Sequence, residues 1–309
     1  MNITITGNLG GGKTSVCKEL VKYGFKFITG GGLFRDVAKE KGVTVLELNE
    51  LAKKDRSVDD MIDNRTARIG REEDNVLFDS RLAWHFAPDS FKVFLLTDSY
   101  EAARRTYEGG AREAEEYADI NSTMAGLKQR ADLERERFKD LYNIDYYDRN
   151  NYDLIIESTY ASPEQIAKEI MRNFEEYKAK KFHSRLELNI RTFYPAQSFA
   201  AFDKQAFDKK VSELKNTEAL CMSNSPIVAG SNGYTYIIDG AEDVYAAIST
   251  GRVFGCVDCI LSDEKSKKLI SQITKSETAE YEETAGFKYL VYPAELGNKP
   301  GFLLNVYGE

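Results

Sequence analysis

The chain has 309 residues, of which 42% are hydrophobic and 30% charged, and its formal net charge is −8. This length predicts about two globular domains, and the acidic balance argues against broad nucleic-acid binding, which needs a basic face. No run of about 18 apolar residues is present, so no membrane span is expected. A strand signal beginning at Asn2 indicates that the amino terminus belongs to the fold and is not a signal peptide.

The first predicted element is a strand at Asn2–Thr6, where polar and β-branched residues alternate. It leads into Gly7–Thr14, which fits the P-loop pattern G-x-x-x-x-G-K-[ST], and Val16 and Leu20 follow at helical spacing. A strand, a glycine-rich turn and a helix in this order form a phosphate cradle, because backbone N–H groups and the positive end of the helix dipole face the anion. The alternative is a chance glycine-rich turn, and the flanking elements argue against it.

The P-loop pattern predicts a role for each kind of residue in the turn. Lys13 is expected to reach the β- and γ-phosphates of ATP as a candidate catalytic residue, and the Thr14 hydroxyl is expected to bind Mg²⁺. The predicted ATP-binding residues are Gly7, Gly10, Gly11, Gly12, Lys13, Thr14 and Ser15.

Further strand and helix signals alternate along the first half of the chain. Predicted strands are Phe25–Ile28, Asn75–Asp79, Phe91–Leu96 and Tyr152–Glu157. Predicted helices are Thr14–Tyr23, Leu33–Lys41, Leu46–Lys53, Val58–Arg71 and one that opens at Ser162, with Pro163 and Gln165 placed for a capping box. The pattern predicts an α/β fold of the P-loop class, in which helices cover both faces of a five-stranded parallel sheet.

A long charged segment, residues 101–149, separates the fourth and fifth predicted strands. One interpretation is a solvated helical pair. Its position beside a P-loop sheet favours the other, an arginine-rich lid that closes over phosphates. The arginines of this segment are Arg104, Arg105, Arg112, Arg130, Arg135, Arg137 and Arg149.

A charged helix end at residues 175–181 predicts a boundary between a first domain, residues 1–183, and a smaller α+β domain, residues 184–309. Predicted strands of the second domain are Leu186–Ile190, Pro226–Ala229, Tyr234–Ile238, Val253–Leu261, Tyr289–Tyr292 and Phe302–Tyr307. Its predicted helices are Phe202–Leu214, Val244–Ser249 and Lys265–Thr274.

The four cysteines, Cys17, Cys221, Cys256 and Cys259, are too few for a disulfide framework. Because proteins of the P-loop class are also usually intracellular, we expect reduced thiols and a cytoplasmic protein. The Cys256-x-x-Cys259 pair has no second cysteine pair to complete a zinc site, so two cysteines in or near a strand are the favoured interpretation.

Five segments of the first domain resemble the cytidylate kinase-like family of P-loop nucleoside monophosphate kinases. They are Gly7–Thr14, Thr29–Arg35, Phe78–Trp84, Arg130–Phe138 with Tyr142–Asp145, and Tyr152–Ile156 with Ser162–Glu164. The resemblance implies an enzyme that uses ATP and Mg²⁺ to phosphorylate a nucleoside monophosphate, with CMP or dCMP favoured. The family often has an acidic residue where Gly32 stands and a glycine where Ser80 stands, and these departures bear on the choice of acceptor.

The resemblance also implies roles for polar residues, and they agree with phosphate chemistry, because a guanidinium fork binds phosphate with two hydrogen bonds. Arg35 and Arg81 are assigned to the acceptor's phosphate. Arg130 and Arg137 are assigned to the transferring group as catalytic residues, with Arg135 a weaker candidate. The other substrate-binding assignments are Thr29, Asp79 for a Mg²⁺-bound water or a sugar hydroxyl, and Asp63 with Arg65 beside the acceptor base.

The second domain faintly resembles the ParB-like or sulfiredoxin-like superfamily, through Pro226–Val228, Tyr236–Ala247 and Val253–Val257. Members carry basic residues where Ala241, Glu242 and Asp243 stand here, and two acids at a helix start repel phosphate. We therefore expect this domain to have lost the usual nucleotide chemistry and to bind a partner, part of a substrate or a second copy of the chain.

Two other functions are kept as alternatives to nucleoside monophosphate kinase. One is a P-loop kinase for another small metabolite. The other is a non-catalytic, nucleotide-sensing regulator in which the second domain responds to the first. Arg35, Arg81 and the lid arginines favour an enzyme, because a regulator could dispense with them. The expected partners are a nucleotide substrate and a second copy of the chain, with no nucleic acid and no membrane.

Overall fold

The structure is a computed structural model that describes residues 1–52, 55–109, 117–181, 185–195, 203–215, 227–231, 234–256 and 258–260. The chain divides into two units, Met1–Arg185 and Leu186–Glu309. Within the described residues no helix is long and apolar enough to cross a membrane.

The first unit is built on five parallel strands in the order β5-β4-β1-β3-β2. The strands are β1 Ile3–Gly7, β2 Lys26–Thr29, β3 Val76–Asp79, β4 Phe91–Leu96 and β5 Leu154–Glu157. Every residue of β1 is buried, which requires cover on both faces of the sheet. The predicted five-stranded parallel α/β fold is therefore confirmed.

Eight helices among the described residues surround these strands. They are α1 Lys13–Val21, α2 Gly30–Lys41, α3 Val45–Ala52, α4 Ser57–Glu72, α5 Ala83–Phe86, α6 Ser99–Glu108, α7 Ile120–Tyr142 and α8 Pro163–Lys178. The charged segment is thus largely helical, with α6 packed on α7. Arg112 lies outside the described residues, and the short α5 has no counterpart in the predicted pattern.

Apolar side chains from both faces of the sheet fix the helices in place. Val76 and Phe78 of β3 pack with Leu33 of α2 and Ile69 of α4. Phe174 of α8 is 2% exposed, and its ring lies 5.6 Å from that of Phe25 and 5.9 Å from that of Phe91. Such aromatic pairs contribute roughly 1 kcal/mol each beyond burial of their area.

The start of α8 confirms the predicted capping box. The Gln165 backbone N–H donates to Ser162 Oγ at 3.2 Å, and the Ser162 backbone N–H donates to Gln165 Oε1 at 2.9 Å. Pro163 occupies the first turn, where no intrahelical N–H bond is lost.

We expect Ser162→Ala to lower the free energy of unfolding by about 1 kcal/mol, because it leaves one N–H of the first turn unsatisfied. Urea unfolding followed by circular dichroism measures this difference. Ser99→Ala is the control, because Ser99 is the first residue of α6 and the cap there is Asp98. Equal midpoints for the two variants would contradict the prediction.

The part of the second unit that the structure describes combines two groups of strands with two α-helices. An antiparallel pair is formed by β6 Arg185–Asn189 and β10 Phe254–Cys256. A four-stranded sheet has the order β11-β8-β9-β7, with β7 Phe193–Pro195, β8 Ile227–Ser231, β9 Tyr234–Asp239 and β11 Asp258–Ile260. The helices are α9 Lys204–Lys215 and α10 Ala241–Ser249.

One prediction for the second unit is wrong in detail. Val253–Leu261 was predicted as one strand, but β10 pairs with β6 while β11 pairs with β8. The residue pattern of this segment, which is apolar apart from Asp258, does not reveal such a change of partner. The thiols of Cys17 and Cys256 are buried, and neither forms a disulfide bond among the described residues. Cys221 and the predicted elements Lys265–Thr274, Tyr289–Tyr292 and Phe302–Tyr307 lie outside the described residues.

Candidate functional site

The P-loop lies between the end of β1 and the start of α1, at the carboxyl ends of the parallel strands. Gly10 and Gly12 have φ values of +73° and +79°, a region that side chains rarely adopt. A Cβ on Gly10 would lie 2.5 Å from the Ala102 carbonyl oxygen of α6. The loop therefore needs glycine at position 10 for both its backbone shape and its contact with α6.

Lys13 and Thr14, the last residues of the P-loop pattern, open α1. The Thr14 hydroxyl donates to Asp79 Oδ2 at 3.2 Å, so the end of β3 meets the P-loop there. Burial, and after it the nearby Arg81 guanidinium, lowers the pKa of Lys13 to about 7. Phosphate oxygens next to Lys13 would restore its charge, because an adjacent anion favours the protonated amine.

Two clefts open beside this loop. The first, the P-loop cleft, has a volume of about 1040 Å³ and the second, the α2–α3 cleft, about 1340 Å³. The residues that line both clefts are Gly30, Gly31, Asp59, Arg130 and Arg137. The clefts therefore adjoin along the start of α2 and the arginine-bearing face of α7.

The structure places nearly all the sequence-predicted site residues around these clefts. The P-loop cleft is lined by Gly10, Gly11, Gly12, Lys13, Thr14, Ser15, Thr29, Asp63, Asp79, Arg81, Arg130 and Arg137. Arg35 lines the α2–α3 cleft. Three others are placed differently: Gly7 is at the end of β1, Arg65 donates to Glu40, and Arg135 donates to Asp145.

Three of the predicted phosphate-binding arginines are held by carboxylates. Arg81 Nε donates to Glu134 Oε2 at 2.8 Å, and Arg137 Nη2 donates to both oxygens of Asp59 at 2.8 and 2.9 Å. Arg130 Nε donates to the other Glu134 oxygen at 3.2 Å. The sequence patterns did not predict these acidic partners.

Arg105 of α6 is also anchored beside the P-loop. It donates from Nε to Glu101 Oε1 at 2.8 Å and from Nη2 to the Ser158 carbonyl at 2.8 Å. Its Nη1 would lie 3.6 Å from a Cβ at Gly12. The four-residue spacing of Glu101 and Arg105 on a helix was the one sequence signal for this pairing.

A carboxyl–phenol pair links the helices on either side of the P-loop cleft. Tyr142 of α7 donates its hydroxyl to Asp63 Oδ2 of α4 at 2.6 Å. Burial raises the pKa of Asp63 to about 6, although the Tyr142 hydrogen bond acts in the opposite direction. Asp63 thus favours its protonated form more strongly in the folded protein than in the unfolded chain.

This raised pKa predicts a pH dependence of stability. Between about pH 4 and pH 6 the folded state binds more protons at Asp63, so its contribution to stability falls as pH rises through that window. Asp63→Asn removes the titration and keeps an acceptor for Tyr142. We expect the variant to gain stability relative to wild type from pH 4 to pH 6, with a constant difference above pH 6.

Urea unfolding at several pH values measures that difference, and Asp36→Asn, a change at an exposed carboxylate of α2, is the control. A stability difference for Asp63→Asn that stays constant from pH 4 to pH 8 would contradict the pKa assigned to Asp63.

Parts of the chain are similar in sequence to known proteins. A family model described as AAA domain matches residues 3–125. The cytidylate kinase of Methanobrevibacter smithii is 32% identical over 172 residues, which cover 55% of this chain and 96% of that protein. The chain belongs to the cytidylate kinase family. The cytidylate kinase of Methanocella arvoryzae is 34% identical over 179 residues, which cover 58% of this chain and 99% of that protein.

A third relative matches a longer part of this chain than the two cytidylate kinases do. The S-adenosylmethionine-dependent nucleotide dehydratase of Lacinutrix mariniflava is 28% identical over 242 residues, which cover 76% of this chain and 49% of that protein. The first unit ends at Arg185, so this match extends into the second unit.

Cytidylate kinase-like P-loop kinases use ATP with Mg²⁺, and the residues of this chain fit both. Oxygen donors suit Mg²⁺, and the Thr14 hydroxyl and the Asp79 carboxylate meet next to the P-loop. No group of three or more His, Cys, Asp or Glu side chains suited to a metal occurs in the described part of the chain. Thr14 and Asp79, together with phosphate oxygens of the nucleotide, are the oxygen donors that would hold the ion.

Proposed function

We propose that this P-loop kinase transfers the γ-phosphoryl group of ATP to a nucleoside monophosphate, with CMP or dCMP as the acceptor. The observation that carries the proposal is the junction of the two clefts. One contains the P-loop, the other contains Arg35, and Arg130 and Arg137 line both. A donor in the first cleft and an acceptor in the second would meet at these arginines.

The chemistry needs positioning and charge neutralisation more than proton transfer. The bond between the γ-phosphorus and its bridging oxygen breaks, that electron pair leaves with ADP, and an acceptor phosphate oxygen forms the new bond to phosphorus. The acceptor oxygen is already anionic, so no general base is required. In the proposed complex Lys13 and Arg130 neutralise the transferring group, and Arg81 holds the acceptor phosphate.

When bound, Mg²⁺ supplies further positive charge at the phosphates, and Thr14 and Asp79 are the residues proposed to hold it. Gly10 and Gly12 shape the backbone cradle, and the Arg105 side chain of α6 lies next to Gly12. Each of these groups acts by binding and orientation, which is how P-loop kinases gain most of their rate.

Two observations support cytosine as the acceptor base. Two relatives that this chain matches over nearly their whole length are named cytidylate kinases. The α2–α3 cleft is lined by the carboxylates Glu50, Asp55 and Asp59, which accept hydrogen bonds. Cytosine presents an amino group where uracil presents a carbonyl oxygen, so an acidic wall favours cytosine.

A nucleotide acceptor also agrees better than another small metabolite with a relative whose similarity continues into the second unit. That relative, the protein of Lacinutrix mariniflava, is named a nucleotide dehydratase. We therefore place the small-metabolite kinase second and the nucleotide-sensing regulator third among the candidate functions.

A coupled assay of ADP formation with the full chain, ATP and Mg²⁺ tests the proposal. The acceptor panel is CMP, dCMP, UMP, AMP, GMP and a non-nucleotide such as shikimate. We expect turnover with CMP or dCMP at least about tenfold above the others, the difference that one lost hydrogen bond produces. Turnover only with a non-nucleotide would show that the acceptor is another small metabolite. ATP binding without any transfer would favour the nucleotide-sensing regulator.

A further inference from the structure

One carboxylate in the P-loop cleft lies where an anionic substrate group is needed. Glu134 of α7 is partly buried, and its two oxygens receive hydrogen bonds from two different arginines, Arg81 at 2.8 Å and Arg130 at 3.2 Å. A phosphate group binds guanidinium donors with the same oxygen geometry. Arg81 and Arg130 come from separate parts of the fold, and Glu134 brings them together.

The surroundings of Arg81 show that this pairing determines its position. Arg81 Nη1 also reaches the Gly7 carbonyl of the P-loop at 3.3 Å, and its guanidinium lies 5.9 Å from the centre of the Tyr146 ring. The side chain is only 18% exposed. A cation this buried needs an opposite charge, because leaving it unpaired is strongly destabilising.

We propose that Glu134 acts as an internal substitute for a phosphate: it positions Arg81 and Arg130 in the free protein and is displaced from them by the phosphate of the incoming nucleotide. The inference rests on the proposed function, which identifies that phosphate as part of a nucleotide substrate. Glu134 is a positioning residue, since it acts through the two arginines. It also lines the cleft with the P-loop, so phosphates bound there would repel it.

Electrostatics agree with the geometry. Burial opposes ionisation of Glu134, yet Arg81 and Arg130 hold the pKa of its carboxyl below the usual range. The carboxylate is therefore charged at neutral pH and competes with an anionic ligand for the same donors. Such competition lowers the affinity for phosphate while keeping the free site organised.

The test compares Glu134→Gln with Asp132→Asn, which removes the same charge from an exposed position on the same helix. The probe is inorganic pyrophosphate, titrated calorimetrically into the full chain, because it needs no assumption about the acceptor. We expect Glu134→Gln to bind pyrophosphate about tenfold more tightly than wild type, the worth of one charge-assisted hydrogen bond. Asp132→Asn should bind like wild type.

Thermal unfolding separates this role from a merely structural one. The melting temperature of free Glu134→Gln should fall, because the two arginines lose their counter-charge, and added pyrophosphate should raise it more than it does for wild type. Glu134→Asp should behave nearly as wild type. A structural role predicts a lower melting temperature together with weaker binding.

Weaker or unchanged pyrophosphate affinity in Glu134→Gln overturns the inference, and so does a lack of measurable binding in both proteins. The proposed function is judged separately, by turnover of the wild-type chain. A kinase with no selectivity for CMP could still show the affinity gain, and an active cytidylate kinase could still lack it.

Discussion

Lys13→Ala is expected to reduce phosphoryl transfer about a thousandfold, the loss seen when one preorganised charge at a developing anion is removed. Lys13 begins α1 at the P-loop, beside Arg81 and Asp79, and it lines the P-loop cleft. No other lysine lines the cleft among the residues that the structure describes. The loss should therefore fall mainly on kcat and not on the acceptor KM.

The variant should stay folded. The Lys13 ammonium lies in a site that lowers its pKa through burial, so removing it relieves a desolvation cost and leaves no buried carboxylate without other partners. Lys18→Ala, at an exposed position on the same helix, is the matched control. Initial rates in the coupled assay and melting temperatures are the two measurements. Unchanged turnover in a folded Lys13→Ala protein would show that the P-loop cleft is not the donor site.

Local sequence patterns were sufficient for most of the fold of the first unit. The alternation of strand and helix signals placed β1 to β5 to within about two residues, and the serine–proline–glutamine pattern at α8 gave its cap. These features depend on neighbouring residues, so a sequence carries them directly. The P-loop belongs to the same class, because its shape comes from glycines at adjacent positions.

The acidic side of the site could not be predicted in that way. Glu134 and Arg81 are 53 residues apart, and Arg137 and Asp59 are 78 apart. Their contacts depend on where α7 lies against the rest of the unit, and helix periodicity leaves that placement open. The change of strand partner between β10 and β11 also depends on contacts between residues far apart in the sequence, so local patterns did not predict it.

Arg81→Ala is expected to raise the KM for the acceptor about a hundredfold while changing the KM for ATP far less. Two charge-assisted hydrogen bonds to a phosphate have about this worth, near 2.7 kcal/mol. Arg81 follows β3, and its guanidinium lies between the P-loop carbonyl of Gly7 and the Glu134 carboxylate. Arg81 lies beside the P-loop, where the acceptor's phosphate must come to meet the γ-phosphate of the donor.

The control is Arg172→Ala. Arg172 is a similarly buried arginine, at 19% exposure against 18%, and it pairs with Glu169 and Glu176 on α8, away from both clefts. Both substitutions leave buried carboxylates short of a partner, so both should lower the melting temperature. Only Arg81→Ala should alter the acceptor KM, and Arg81→Lys should recover part of the affinity, because lysine restores charge without the fork. A rise confined to the ATP KM would instead place Arg81 on the donor, and the acceptor's phosphate would then belong to Arg35.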